Sequence, residues 1–152
     1  MVNRRSPYHP PAWFARPAAR LRFQRQLAEC GVPVRTTNPP RSHRGGFALT
    51  AMLRGLDVAD QTLTIVFGPQ SVVPTVYTDG DPRSPHRYRG GALCMWQPTD
   101  PADLRWTLRD GGAALLGHVV AHLMREEWWR STGEWPGAEA PHLPVATTTE
   151  VT

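Results

Sequence analysis

The hydrophobic period of the chain changes twice, and this restricts the possible folds more than any other feature. Between Pro17 and Gly31 apolar residues recur every three to four positions, as in an amphipathic helix. Across residues 47–77 apolar and polar residues alternate, as in strands, and from about Asp110 the helical period returns. Helix, strands and helix within 152 residues are typical of a single α+β domain.

The first helix is predicted over residues 17–30. Pro17 suits a first helical turn, and Gly31 stands just past the end. The apolar stripe consists of Ala19, Phe23, Leu27 and Cys30. We therefore expect Cys30 to be a core residue.

Three short strands are predicted at residues 47–54, 62–67 and 72–77. The preceding segment TTNPPRSHRGG is predicted to be a loop, and turns fall at GLDVADQ and GPQ. The alternation favours an antiparallel meander with one buried face. Pro74 has no N–H to donate, so the third strand should lie at a sheet edge or carry a bulge.

A long second helix is predicted from about Asp110, as a plausible N-cap, to about Ser131, with Gly133 as its stop. Its predicted shared face contains Leu116, Val119, Val120, Leu123 and Glu127. Three tryptophans near its end are expected to pack the following segment onto the core: Trp128, Trp129 and Trp135.

Two histidines, His118 and His122, stand four residues apart on this helix. Imidazoles at this spacing can bind zinc, but HVVAH lacks the catalytic glutamate of the HExxH pattern. We interpret the two histidines as a solvated or partner-facing pair and predict no metal site and no cofactor.

The composition of the chain constrains its division into segments and its cellular location. We divide the chain into a proline-rich, extended arm at 1–16, a domain at 17–142 and a disordered tail at 143–152. The sequence has no long apolar run, so we expect no membrane contact and a cytoplasmic location. All 17 basic residues are arginine and the net charge is +4, but the arginines are scattered, which makes nucleic acid an unlikely partner.

The stretch PHRYRGGALCMW, residues 85–96, contains the candidate for chemistry. Cys94 follows two glycines, and His86, Arg87 and Arg89 lie within eight residues of it. Neighbouring cations favour the thiolate, which is the nucleophilic form of cysteine. No third residue completes a Cys–His–Asp triad. The residues by themselves leave Cys94 as either a packing residue or a nucleophile.

Three segments and one glycine position resemble the ubiquitin-conjugating enzymes, most closely the bacterial branch found in type II CBASS antiphage operons. PTVYT at 74–78 resembles the family's P-x-V strand, and Gly91 stands three residues before the cysteine. ALCMWQP resembles the bacterial L-C-x-x-x-P through Leu93, Cys94 and Pro98, and TGEWPGAEAPH at 132–142 resembles that branch's closing segment. The resemblance covers roughly residues 17–142.

The resemblance implies an α+β, ubiquitin-conjugating-enzyme-like fold: N-terminal helix, antiparallel meander, loop with the active cysteine, and long C-terminal helix. It implies that Cys94 carries the C-terminal acyl group of a protein as a thioester and passes it to an amine. The implied partners are an activating enzyme and a donor ending in glycine, either a ubiquitin-like protein or the tail of a cyclic-nucleotide synthase.

The resemblance also assigns two further residues, with a departure from the eukaryotic pattern. His86 corresponds to the histidine of the eukaryotic His-Pro-Asn motif, but it lies eight rather than ten residues before the cysteine. HRY stands in place of HPN, so the asparagine that supports the oxyanion is missing. Tyr88 or a backbone N–H would take that role, and His86 would hold the loop.

Two alternatives remain open at this point. The same fold with a silent cysteine could serve as a protein-binding module. An arginine-rich domain could instead bind nucleic acid, in which case its affinity would fall steeply with salt.

Overall fold

A computed structural model describes residues 11–97 and 99–137 of the chain. The predicted tail at 143–152, residues 1–10 of the predicted arm, Pro98 and the end of the closing segment lie outside the described residues. The helices and strands are α1 (Pro17–Glu29), β1 (Arg35–Thr37), β2 (Phe47–Leu53), β3 (Gln61–Phe67), β4 (Thr75–Thr78) and α2 (Gly111–Thr132). Short 3-10 helices occur at Trp13–Ala15, Arg41–His43 and Leu108–Asp110.

The four strands form one antiparallel sheet in the order β1-β2-β3-β4. β2 and β3 pair along their whole length, with Phe47 opposite Phe67 and Leu49 opposite Ile65. Phe47, Leu49 and Leu53 of β2 are buried, and so are Leu63, Ile65 and Phe67 of β3, because alternate side chains of a strand point to the same face. The predicted α+β fold, with its N-terminal helix, meander and long C-terminal helix, is confirmed.

The two edge strands differ from the prediction. β1 uses Thr36 and Thr37, which the sequence assigned to a loop; they pair with Leu49 and Ala48 of β2. β4 begins at Thr75 rather than at residue 72, so Pro74 precedes the strand and removes no ladder bond. The predicted edge position of this strand is confirmed.

Helix α1 begins at Pro17, as predicted, and ends in a Schellman turn. Gly31 has φ +79°, its N–H donates to the carbonyl of Ala28, and the Val32 N–H donates to the carbonyl of Leu27. This turn brings Val32, which is fully buried, back over the helix. Cys30 is exposed instead, so its assignment to the core is wrong.

The predicted core face of helix α2 is confirmed at Leu116, Val119 and Leu123 and is wrong at Val120, which is half-buried, and at Glu127, which is exposed. Glu126, rather than Glu127, is buried, together with His122. The apolar part of this face consists of Leu115, Leu116, Val119 and Leu123. Asp110 does not cap α2 with its side chain; its carboxylate accepts hydrogen bonds from Thr107 and thereby caps the preceding 3-10 turn. Gly133, with φ +79°, ends the helix as predicted.

The two helices meet at the start of α2. The Gly112 N–H donates to Oε1 of Gln26 at 2.8 Å, which satisfies one of the free donors of the helix terminus. A Cβ at Gly112 would lie 3.1 Å from Leu27 Cδ2, so the absence of a side chain permits this close packing.

The core contains a cluster of aromatic rings. Trp13, Phe23, Phe47 and Trp106 all lie within 6.4 Å, centroid to centroid, of Phe67. The segment at Trp13–Ala15 is a 3-10 helix that buries Phe14, not an extended chain. Within the described residues, no helix combines the length and apolar character needed to cross a membrane.

Candidate functional site

Cys94 lies at the end of a hairpin formed by residues 86–94, which we call the Cys94 hairpin. The Cys94 N–H donates to the His86 carbonyl at 2.7 Å, and the Tyr88 N–H donates to the Ala92 carbonyl at 2.8 Å. Gly91, with φ +89°, closes the turn. The Leu93 N–H donates to the carbonyl of Val76 at 2.8 Å. These bonds attach the cysteine to the edge of the sheet.

Cys94 is half-buried and lines a groove of about 390 Å³ between the hairpin and α2, which we call the Cys94 groove. Its lining residues are His86, Cys94, Met95, Trp96, Gln97, Asp100, Ala114, Gly117, His118, Ala121, His122, Arg125 and Trp135.

Three of the six α2 residues that line the groove are small. Ala114, Gly117 and Ala121 lie at spacings of three and four, which places them on one helix face. A Cβ at Gly117 would meet no atom within 4 Å. A chain lying in the groove could therefore approach the helix backbone closely.

His86 contributes to the site through its backbone and its ring. It is a non-glycine residue in the left-handed region, with φ 59°, where strain is tolerated mainly at functional positions. Its carbonyl accepts the Cys94 N–H, and its ring centroid lies 4.4 Å from that of Trp135.

Tyr88 lies beside the cysteine. Its hydroxyl donates to the Trp96 carbonyl at 3.2 Å. Burial, a hydrogen bond with the Cys94 side chain and the negative charge of Asp100 raise the pKa of Tyr88 to about 12. The phenol therefore keeps its proton at neutral pH and remains a hydrogen-bond donor.

The two predicted cations of the loop do not surround the thiol as expected. Arg87 is buried and paired with Glu126, at 2.9 Å between Nε and Oε2, so its charge is compensated. Arg89 is exposed. Arg125 of α2 lines the groove instead, and the sequence offered no signal for this contribution because it depends on how α2 packs.

The two helical histidines do not form a solvated pair. His118 is exposed, with its ring 5.2 Å from that of Trp96, whereas His122 is buried. Burial lowers the pKa of His122 to about 4, and the electrostatic effects of Arg87, His86 and Arg125 act in the same direction. Within the described residues, no cluster of three or more His, Cys, Asp or Glu side chains could hold a metal ion.

Trp135 forms part of the groove wall. Its ring lies 5.3 Å from that of His122 and against His86, so the segment after α2 is packed onto the site. Trp129 is half-buried and Trp128 is 56% exposed, so the predicted packing role fails for Trp128.

The family model of the type II CBASS E2 protein matches residues 55–143. This match covers more than half of the chain and includes β3, β4, the Cys94 hairpin and α2. The chain belongs to the type II CBASS E2 family. An E2-like conjugating role within CBASS follows from that membership. No curated protein and no solved structure is significantly similar to the chain.

Proposed function

We propose that this CBASS E2 protein is a cysteine-dependent conjugating enzyme, and that Cys94 carries the acyl group. The observation that carries the proposal is the position of Cys94: it is half-buried at the wall of a groove, beside a helix face of small residues. The family match includes this whole region. The proposed occupant of this groove of about 390 Å³ is the extended C-terminal tail of another protein.

The proposed reaction has two transfers. In the first, Cys94 Sγ bonds to the carbonyl carbon of the donor's C-terminal residue, and the bond from that carbon to the sulfur of the activating enzyme breaks. In the second, an acceptor amine attacks the same carbon, the C–S bond breaks, and the amine loses a proton. A thioester keeps the acyl group activated between the two steps.

Each transfer passes through a tetrahedral oxyanion, and a donor of hydrogen bonds near Cys94 would stabilise it. Tyr88 is the proposed donor, because its phenol lies beside the cysteine and stays protonated. The phenol would exchange its bond to Trp96 for one to the oxyanion. His86 holds the hairpin through its carbonyl bond to the Cys94 N–H.

The proposed partners are an activating enzyme and a donor protein with a C-terminal glycine. That donor is either a ubiquitin-like protein or the cyclic-nucleotide synthase of the same antiphage system. The acceptor is a primary amine.

The test is a conjugation assay with purified operon components and three forms of the chain. Wild type and Cys94→Ala differ at the proposed nucleophile, and Cys30→Ala is the matched control because Cys30 is an exposed thiol at the end of α1. We expect conjugates from wild type and Cys30→Ala and none from Cys94→Ala. Equal yields from wild type and Cys94→Ala would refute the enzyme and favour a binding module with a silent cysteine.

A further inference from the structure

A buried ion pair joins the Cys94 hairpin to α2. Nε of Arg87 lies 2.9 Å from Oε2 of Glu126, and Nη2 lies 3.1 Å from Oε1. Each side chain is 1% exposed. The guanidinium thus grips the carboxylate with two parallel bonds, the strongest arrangement for such a pair.

The same guanidinium also binds three backbone carbonyls. Nη1 donates to Thr78 and to Gly91, each at 3.2 Å, and Nη2 donates to Asp79 at 3.0 Å. Arg87 therefore connects the end of β4, the turn of the hairpin and helix α2 through one rigid group.

The surrounding chain is shaped to admit this group. A Cβ at Gly80 would lie 2.6 Å from Nη2 of Arg87, so a side chain there would displace the guanidinium. Gly80 also has φ +138°, which a residue with a side chain rarely adopts. Ser84 donates a further bond to Oε1 of Glu126 at 3.2 Å.

Arg87 is directly connected to the cysteine through the backbone. It forms a β-bridge with Leu93, the residue before Cys94, and the neighbouring His86 carbonyl accepts the Cys94 N–H. A shift of Arg87 relative to α2 would therefore move the cysteine relative to the opposite wall of the groove.

Stability alone is a weak explanation for this arrangement. Removing two charges from water costs about as much as their attraction returns, so a buried ion pair often adds little compared with apolar residues of similar size. It does fix geometry, because the guanidinium has its donors in a rigid plane.

We propose that Arg87 and Glu126 are positioning residues that set the distance between the Cys94 hairpin and α2, and with it the placement of Cys94 in the groove. This inference rests on the proposed function of the same cysteine. Neither side chain touches the reacting atoms. Their effect is on the rate of acyl loading, through the position of the nucleophile.

The test separates positioning from stability with an apolar replacement. Arg87→Met removes the buried partner of the carboxylate and leaves it Ser84, at 3.2 Å, and the half-exposed Arg130, at 3.7 Å; it should lower both Tm and the loading rate. Adding Glu126→Leu removes the buried charge and should bring Tm back toward wild type. We expect the loading rate at saturating donor to stay about 10- to 100-fold below wild type in this double variant. If the double variant regains the wild-type rate together with Tm, the pair is structural and the proposal is wrong.

Arg87→Lys decides the question if the double variant does not fold. Lysine keeps the charge opposite Glu126 but lacks the fork that reaches Thr78 and Gly91. We expect a loading rate at least about 10-fold below wild type, with an unchanged circular dichroism spectrum. A wild-type rate would overturn the proposal. Arg83→Ala is the matched control, because Arg83 pairs with Asp81 on the same loop but is exposed; it should load normally.

A second readout keeps this test independent of the proposed function. If no donor loads onto the wild-type chain, iodoacetamide alkylation of Cys94, measured by mass spectrometry against Cys30 in the same molecule, decides instead. A loosened hairpin exposes the half-buried thiol, so Arg87→Lys should raise the Cys94-to-Cys30 ratio about threefold or more. An unchanged ratio would then exclude a positioning role.

Discussion

The contacts of the sheet with the two helices are apolar, whereas the contacts of the Cys94 hairpin with α2 are polar. Phe67 of β3 is surrounded by aromatic rings, and Leu115 of α2 is fully buried. Between the hairpin and α2, Arg87 and Glu126 are joined by two directional bonds of 2.9 and 3.1 Å. Apolar packing supplies most of the stability of a domain, while directional bonds fix the position of a group. We therefore expect substitutions in the apolar core to lower stability and substitutions in the hairpin to lower activity, each largely without the other effect.

The largest effect is expected in the apolar core. Phe67→Ala should lower the free energy of unfolding by about 3–5 kcal/mol. Phe67 is 2% exposed, so removing its ring would leave a cavity in the core. The matched control is Met52→Ala, on β2 but 42% exposed, which should change it by less than about 0.5 kcal/mol. Urea denaturation measures both. A small effect at Phe67 would contradict the assignment of stability to this cluster.

The next effect concerns the buried histidine on the boundary between the two regions. His122 has a pKa of about 4 in the folded chain, against about 6.5 when unfolded. Below pH 6.5 the unfolded state gains a proton that the folded state does not bind. The contribution of His122 to the free energy of unfolding is therefore fully present above pH 6.5. It falls by about 3 kcal/mol as the pH drops to 4.

His122→Gln should remove most of this pH dependence in urea denaturation between pH 7 and 4, and His118→Gln should retain it because His118 is exposed. The charged groups around His122 are Arg87, His86, Arg125 and Glu126. Asp81 titrates lower, since its bonds with Arg83 lower its pKa to about 2, and so it acts below this range. An equal slope in His122→Gln and wild type would contradict the buried, neutral state of this imidazole.

A smaller effect, confined to the hairpin, is expected for the phenol. Tyr88→Phe should slow acyl transfer at least about 10-fold, or about 1.4 kcal/mol of transition-state stabilisation, and change Tm little because Tyr88 is 43% exposed. Tyr77→Phe is the matched control, since it removes a phenol from β4, outside the Cys94 hairpin. Single-turnover discharge to an amine measures the rate. Wild-type discharge by Tyr88→Phe would leave a backbone N–H as the oxyanion donor.

The sheet and its apolar contacts with the two helices were largely predictable from the sequence. β2 and β3 follow the twofold period because both have one face on the core, and Pro17 and Gly31 mark the limits of α1. What failed there depended on partners far along the chain. Thr36 and Thr37 form a strand because β2 lies beside them, which local composition does not encode.

The polar contacts between the Cys94 hairpin and α2 were less predictable. The burial of Glu126 depends on Arg87, which lies 39 residues earlier, so no local pattern distinguishes it from the exposed Glu127. Cys94 and His86 could be identified through the loop and its family resemblance. The contributions of Arg125 and Trp135 follow from the packing of α2 and the segment after it against the hairpin.

The most direct measurement of the central claim is the intact mass of Cys94→Ser after incubation with the activating enzyme and the donor protein. We expect an adduct of one donor mass that survives thiol reductant, because serine would hold the acyl group as an ester, whereas the wild-type adduct should be released by the same reductant. An adduct of equal abundance on Cys94→Ala would contradict the assignment of the acyl group to this sulfur, as would the absence of any adduct on both wild type and Cys94→Ser.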